Sequence, residues 1–328
     1  MFFCICIINK GDLILSDKFY HFYIALIASI SFLFLFFTLS ALGLIQSTEA
    51  PNLIGEASRW CERVSGGLFR EPVNTLSNLG FMIVGLYIFW ILCNDEKNSN
   101  NPFIGTNKIS ILYASVVIYL GPGSMLMHGT NTEWGAWADN LSMIMYIILP
   151  WLFNIYSMSK WSINQFLKTY LGIVIIYSVW RWFTDFELGI NFNLFGVSIG
   201  LWVISEVLYR YWSPVFRLIS GFVGFLVLML FGTMPNEVFE NFDEYWWVIL
   251  FWLPAILSNE QPKHSRTYKW FILGMISYLS AFAIWLTGVP DHASCSPDSI
   301  IQAHGIWHLL TALATYFFFI HYRSVKTV

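Results

Sequence analysis

Charged side chains are scarce in this chain. Asp, Glu, Lys and Arg make up 11% of its 328 residues, whereas 57% of the residues are hydrophobic. An ordinary soluble domain carries roughly 25% charged residues, and so few charges could not cover the water-facing surface of a chain this long. The composition therefore excludes a soluble enzyme and a disordered chain. It also excludes a nucleic-acid binder, because such a protein needs a basic patch. What remains is a polytopic membrane protein.

Cysteine is also rare, and its spacing excludes one kind of site. The five cysteines contain no CxxC pair of the type that holds structural zinc. Cys61 and Cys295 differ from the others because both lie in polar segments. Whether these two can pair depends on the topology of the chain.

Long apolar runs are abundant. A helix needs about 20 mostly apolar residues to cross the hydrocarbon core. Ten such runs are separated by polar breaks, near 21–45, 73–93, 109–128, 138–157, 168–184, 192–212, 216–234, 246–258, 269–288 and 301–321. The run 246–258 is short and is compatible with a re-entrant segment. The runs predict an all-α fold, a polytopic transmembrane helical bundle of eight to ten spans.

The first apolar run is predicted to be an anchor helix rather than a cleaved signal peptide. It is too long for a signal-peptide core, and no clear small-residue cleavage site follows it. We therefore divide the chain into a leader with an N-terminal transmembrane helix, 1–50, and a second transmembrane domain, 51–328.

The distribution of Lys and Arg predicts the orientation. If the spans alternate, 13 of the 17 basic residues fall on one face, and only Arg59, Arg63, Arg70 and Arg181 fall on the other. The positive-inside rule makes the first face cytoplasmic, so both termini are predicted to be cytoplasmic. Cys61 and Cys295 then share the periplasmic, lumenal or exterior side. That oxidising side allows a disulfide between them and leaves free thiols as the alternative.

Four polar clusters interrupt the apolar spans. Ionisable side chains inside a membrane are costly and indicate a functional site. The clusters are Glu71–Asn78, Gly121–His128, Trp137–Asn140 and His304–His308. In the predicted topology all four lie near the outer membrane boundary. Scattered structural polar residues would have no reason to share a depth, so we expect these clusters to form one site.

The spacing within these clusters fits metal chemistry. His304 and His308 are four residues apart, which places both imidazoles on one helix face, and Ser124 and His128 repeat the interval. Three histidines would leave a fourth zinc position for water, while Asp139 could accept a proton and Ser124 could bind a developing oxyanion. Ordinary alternatives stay open. They are interfacial packing for the histidines, backbone hydrogen bonding for Ser124 and helix capping for Asp139.

The same residues carry a family resemblance. The blocks are Trp60-Cys61-Glu62, Glu71 with Asn74-Thr75-Leu76-Ser77-Asn78, Gly121-Pro122-Gly123-Ser124 with His128 and Asp139, and His304-Gly305-Ile306-Trp307-His308. Together they resemble the alkaline ceramidase family. That family belongs to a wider group of seven-span membrane hydrolases that also includes progestin/adiponectin-type receptors. Relative to seven spans, this chain has about one additional N-terminal helix and two inserted helices near 216–258.

The resemblance implies an activity and a set of roles. Zinc would be held by His128, His304 and His308. Asp139 would be the general base, and Ser124 would be the oxyanion donor or would hold the zinc-bound water. The substrate would be a ceramide-like N-acyl lipid taken from the bilayer and hydrolysed to a long-chain base and a fatty acid. The exact lipid and the oligomeric state are left open.

The resemblance also implies a calcium site near the first core span. Glu62, Glu71 and the carbonyl of Trp60 match the residues expected there. Arg59 and Val64 stand where that family has Asp and Asn. Calcium favours six to eight oxygen ligands, so these replacements argue against a tight calcium site.

Two other functions are compatible with a polytopic bundle. The first is a lipid-binding receptor or signalling protein with a structural metal, but no sizeable cytoplasmic coupling domain is visible in the sequence. The second is a transporter, which usually places its site near the membrane midplane on broken or repeated helices. The polar clusters are predicted to lie toward one leaflet and the sequence shows no internal repeat, so we favour the hydrolase.

Overall fold

The protein is an all-α membrane bundle, as the apolar runs predict. The structure, a computed structural model, describes residues 18–46, 53–95, 101–184 and 193–327. Its α-helices, in chain order, are α1 Tyr20–Ala41, α2 Pro72–Ser77, α3 Leu79–Asn94, α4 Lys108–Thr130, α5 Glu133–Ser157, α6 Ile163–Phe183, α7 Leu194–Arg210, α8 Pro214–Ile219, α9 Val223–Leu230, α10 Pro235–Glu240, α11 Leu253–Leu257, α12 Lys269–Trp285 and α13 Ala303–Arg323. The 3₁₀ turns Ser220–Phe222 and Trp246–Trp252 and the short strands β1 His264–Arg266 and β2 Val325–Thr327 complete it.

Every predicted apolar run coincides with helical structure. Within the described residues, five helical segments are long and apolar enough to cross a membrane: Tyr20–Ala41, Pro72–Asn94, Lys108–Thr130, Glu133–Ser157 and Ala303–Arg323. The run 216–234 is interrupted by a 3₁₀ turn between α8 and α9, and 246–258 is largely 3₁₀ helix. These two pieces are shorter than a full span, as the short run 246–258 already suggested.

The chain forms two compact units. One consists of Met1–Gly135 with Tyr268–Ser324, and the other of Ala136–Thr267 with Val325–Val328, as far as these ranges are described. The division of the chain at residue 50 stays a prediction.

In the first unit, close helix contacts depend on small residues. A Cβ atom at Gly121 of α4 would lie 2.6 Å from Met82 Cγ and 2.9 Å from the carbonyl oxygen of Asn78, so only glycine allows α3 and α4 to approach this closely. Tyr113 of α4 donates a hydrogen bond from its hydroxyl to the carbonyl of Thr315 in α13 at 2.7 Å. The Gly121 contact joins α4 to α3 in the half of α4 that carries His128, while the Tyr113 contact joins α4 to α13 nearer the other end of α4.

The start and the end of α4 follow from local sequence. Asn107 caps its N-terminus in a capping box with Ser110, and Asn131 ends it in the left-handed conformation with φ of 51°. The helix therefore stops at Thr130, two residues after His128.

The second unit is organised around a buried ion pair. Arg266 of β1 contacts Glu206 of α7 at 3.0 Å and donates a second hydrogen bond to Asn154 Oδ1 of α5 at 2.6 Å. All three side chains are buried. β1 pairs with β2 in antiparallel register, which ties the end of the described chain to this unit.

Candidate metal centre

Three buried histidines converge in the first unit. His128 lies in the last turn of α4, while His304 and His308 lie in the first two turns of α13. Each is at most 6% exposed, and one ring nitrogen of each lies within 4.8 Å of the others. Among the described residues, this trio is the only group of three or more His, Cys, Asp or Glu side chains placed to hold a metal ion. The prediction that these clusters converge is confirmed for the three histidines.

Hydrogen bonds fix the tautomers of two of these rings. His128 Nδ1 lies 2.7 Å from Glu71 Oε2, and because a carboxylate can only accept, the proton lies on Nδ1. His308 Nδ1 lies 2.8 Å from Ser77 Oγ, whose hydroxyl already donates to the carbonyl of Asn74 at 2.9 Å. His308 Nδ1 must then be the donor. In both rings Nε2 is then unprotonated, which is the form that binds a metal.

His304 is positioned by ring stacking. Its ring lies 4.4 Å from that of Trp60 with an interplanar angle of 20°, and the Arg59 guanidinium lies 4.4 Å from the Trp60 ring on which it stacks. The Nδ1 atom of His304 is buried and has no hydrogen-bond partner among the described residues. Its Nε2 atom lies 3.1 Å from His128 Nε2.

A divalent metal fits this arrangement. His128 Nε2 lies 3.1 Å from His304 Nε2, and one ring nitrogen of His308 lies within 4.8 Å of ring nitrogens of the other two. Neutral imidazole nitrogen is a preferred ligand of zinc. The Glu71 and Ser77 contacts are of the outer-ligand kind that orients metal-binding histidines.

Ser124 lies beside this centre, and Asp139 belongs to the other unit. Ser124 Oγ is 3.5 Å from His308 Nε2, and its side chain is buried. Asp139 lies in α5, within the second unit, where its backbone carbonyl accepts a hydrogen bond from Ser142 Oγ at 2.7 Å. The catalytic roles of both residues stay predictions.

The predicted calcium ligands have other partners in this structure. The two carboxylate oxygens of Glu62 accept hydrogen bonds from the backbone N–H groups of Val73 and Asn74, at 2.6 and 2.8 Å, at the start of α2. Glu71 accepts from His128 and also from Asn74 Nδ2 at 2.8 Å. Calcium at Trp60, Glu62 and Glu71 stays a prediction, while the contacts give both glutamates a supporting role around the histidines.

Burial and hydrogen bonding act in opposite directions on these two carboxyls. Burial raises the pKa of Glu62, against the lowering effect of the N–H bonds from Asn74 and Val73. Burial also acts to raise the pKa of Glu71, but His128 and the bond from Asn74 outweigh it and leave that pKa below its ordinary value. The contacts of Glu71 therefore favour its charged form beside the histidines.

A disulfide holds the loop that carries Trp60. Cys61 and Cys295 are bonded, with their Cα atoms 5.6 Å apart. Next to it, Arg63 and Asp298 form two hydrogen bonds, and the backbone N–H of Arg63 donates to the carbonyl of Pro297 at 2.9 Å. The segment before α2 is thus fastened to the segment before α13. Of the two outcomes that the sequence left open for these cysteines, the disulfide is the one observed.

Sequence reasoning assigned no role to Ser77 and gave Glu71 a different one. Both belong to the polar cluster 71–78, which was expected to contribute to the site. Their contacts with His308 and His128 depend on how α2 lies against α4 and α13. Gly305 permits that packing, because a Cβ atom there would lie 3.3 Å from Val73 Cγ1.

Comparison with known proteins gives one family. A sequence model of the family described as Ceramidase matches residues 57–328 of the chain. The matched region contains all three histidines and every residue that positions them. Comparison with curated protein sequences finds no match.

Proposed function

The chain belongs to the ceramidase family, and from this membership we propose that it is a zinc-dependent intramembrane hydrolase of ceramide-like N-acyl lipids. The products would be a long-chain base and a fatty acid. The observation that carries the proposal is the buried histidine trio, whose ring nitrogens lie within 4.8 Å of one another. Glu71 and Ser77 are arranged to keep Nε2 of His128 and His308 unprotonated.

The chemistry divides among residues of this chain. His128, His304 and His308 would hold the zinc ion, which when bound lowers the pKa of water toward about 7 and polarises a carbonyl. Glu71 and Ser77 hold protons on the outer nitrogens of His128 and His308, so the inner nitrogens stay available. Ser124, buried beside His308, would donate a hydrogen bond to the amide oxygen as negative charge develops there.

We assign the general-base role to Asp139. It would take a proton from the attacking water and return it to the leaving amine, so that the long-chain base departs neutral. The bilayer supplies a substrate whose amide lies near the headgroup boundary. A buried site at the ends of apolar helices suits that substrate.

The test is amide hydrolysis by the purified chain on a panel of lipids, with fatty-acid release as the readout. We expect turnover of ceramide by the wild type and at least about a hundredfold loss in Asp139→Asn, which should keep its metal. Glu133→Gln, an exposed acid on the same helix, is the control and should hydrolyse normally. Unchanged turnover in Asp139→Asn would remove it as the base. A protein that binds metal and lipid without hydrolysing any amide would favour the receptor alternative.

We also propose that the site faces the periplasmic, lumenal or exterior side, with both termini cytoplasmic. The Cys61–Cys295 disulfide beside the histidines supports this, because disulfides persist in oxidising compartments. Labelling of single added cysteines with an impermeant maleimide tests it, in a background with Cys4 and Cys6 replaced by Ser. Ser299→Cys should react from the outside of sealed cells or vesicles and Ser324→Cys should not. The reverse labelling pattern would show that the orientation is opposite to the one proposed.

The domain assignment is proposed in the same way. Residues 51–328 would carry catalysis, and 1–50 would form a leader and an anchoring helix. The family match over 57–328 supports this division.

A further inference from the structure

An apolar groove lies along the N-terminal half of α1, away from the trio His128, His304 and His308. It has a volume of about 480 Å³ and is lined by residues of α1, α3 and α4: His21, Ile24, Ala25, Ala28, Ser29, Phe32, Phe89, Ile111, Ser115, Ile118, Tyr119, Pro122 and Leu126. This volume is within the range of about 300–1,000 Å³ that is typical of ligand sites. We call it the α1 groove.

The groove exists because α1 is packed tightly at only one end. Near its C-terminus, Phe36 stacks on Phe69 with ring centroids 5.1 Å apart and packs with Met82 and Met125. A Cβ atom at Gly129 would lie 2.5 Å from the Phe36 ring, so α4 and α1 are in close contact there. Toward its N-terminus, α1 instead presents the small residues Ala25, Ala28 and Ser29 to the groove, and these leave the space open.

The groove is separate from the proposed metal centre. On a helix with 3.6 residues per turn, Ile111, Ser115, Pro122 and Leu126 share one face of α4. His128 and Ser124 project from the opposite face. Helix α4 therefore separates a molecule in the groove from His128, His304 and His308.

The dimensions of the groove fit one alkyl chain. From Ile111 to Leu126 the groove follows 15 residues of α4, or about 22 Å at 1.5 Å per residue. That length is a large part of the hydrocarbon core, which is about 30 Å thick. Because the surrounding helices cross the membrane, the groove lies among lipid chains.

One end of the groove is basic. Lys18 lies three residues before the lining residue His21, and Lys108 lies one turn before Ile111 on the groove face of α4. Both lysines are exposed, and neither forms an ion pair with another described residue. Asp95, an acid at the same end of α3, is already paired with Arg323 at 2.6 Å. The positive charge of these two lysines complements an acidic headgroup.

We propose that the α1 groove binds one acidic phospholipid of the surrounding bilayer. One of its acyl chains lies along α4, and its headgroup lies at Lys18, His21 and Lys108.

The experiment counts lipids that remain on the full-length chain. Protein in mixed micelles with equal amounts of phosphatidylglycerol and phosphatidylcholine is analysed by native mass spectrometry. We expect one retained phosphatidylglycerol per wild-type chain. Ala25→Phe fills the groove and should lower retention about tenfold. Ser31→Phe, on an exposed part of α1 that does not line the groove, should retain lipid like the wild type.

A second variant keeps the test decisive if Ala25→Phe does not fold. Lys18→Gln with Lys108→Gln leaves the apolar lining intact and should bind the two phospholipids without preference. Three results would overturn the proposal. They are equal retention by Ala25→Phe and Ser31→Phe, no preference in the wild type, and a lipid-free dimer in which a second copy fills the groove.

Discussion

Glu71 accepts a hydrogen bond from Nδ1 of His128 at 2.7 Å, and both side chains are buried. This contact fixes which nitrogen of His128 carries the proton. It also places a negative charge one ring away from the proposed cation. Two residues 57 positions apart in the chain are thereby coupled.

The first prediction concerns this contact. Glu71→Gln removes the charge but keeps the shape of the side chain, so metal affinity should fall by about 10–100-fold while the fold is kept. Competition with a chromogenic chelator measures the affinity. Glu56→Gln, an exposed acid of the same loop, should bind metal like the wild type. Equal affinities for the two variants would refute a role for Glu71 at the metal.

The second prediction concerns Trp60. Trp60→Ala removes the stacking partner of His304, whose Nδ1 has no described hydrogen bond to hold it. An aromatic pair contributes about 0.5–1.5 kcal/mol, so metal affinity should fall by up to about tenfold. Trp60→Phe keeps a ring and should recover most of the loss. If Phe and Ala behaved alike, stacking would not be what positions His304.

The site could be predicted from sequence only where the spacing is local. The four-residue interval places His304 and His308 on one face of any helix, and their convergence with His128 was expected from a shared depth. The contacts of Glu71 and Ser77 depend on the angle at which α2 meets α4 and α13, and no sequence spacing encodes that angle. From the sequence, Glu71 therefore received only the doubtful calcium role that the family resemblance implies.

The fold, like the site, could be predicted from the sequence only in part. Apolar runs located every described α-helix except the short α10, because the length needed to cross a membrane is visible in composition. The Arg266–Glu206 pair was not predictable, because it joins residues 60 positions apart through the packing of β1 against α7. The Cys61–Cys295 disulfide could be predicted only in part. Topology allowed the bond but could not show that the two loops meet.

The third prediction concerns that disulfide. The bond links residues separated by 234 positions, so it restricts the unfolded chain strongly. Cys61→Ser with Cys295→Ser should destabilise the protein by about 2–5 kcal/mol, seen as a lower thermal midpoint in detergent. Reductant should lower the midpoint of the wild type and leave that of the double variant unchanged. The prediction would be contradicted if the thermal midpoint of the wild type did not change under reducing conditions that cleave the bond.

The fourth prediction concerns the buried pair of the second unit. Glu206→Gln leaves the Arg266 charge uncompensated and should cost about 3–5 kcal/mol of stability. Glu206→Met combined with Arg266→Met should lose less than the two single changes added together, because it removes both charges. Glu240→Gln, at an exposed acid of the same unit, is the control. If Glu206→Gln and Glu240→Gln unfold at the same temperature, the pair is not stabilising.

The most direct test of the account is the metal content of the purified chain, measured together with ceramide turnover. We predict about one zinc per wild-type chain, and loss of both the zinc and the turnover in His304→Ala. Removing zinc with a chelator should abolish hydrolysis, and adding zinc back should restore it. A zinc-free chain that hydrolyses ceramide at the full rate would contradict the account.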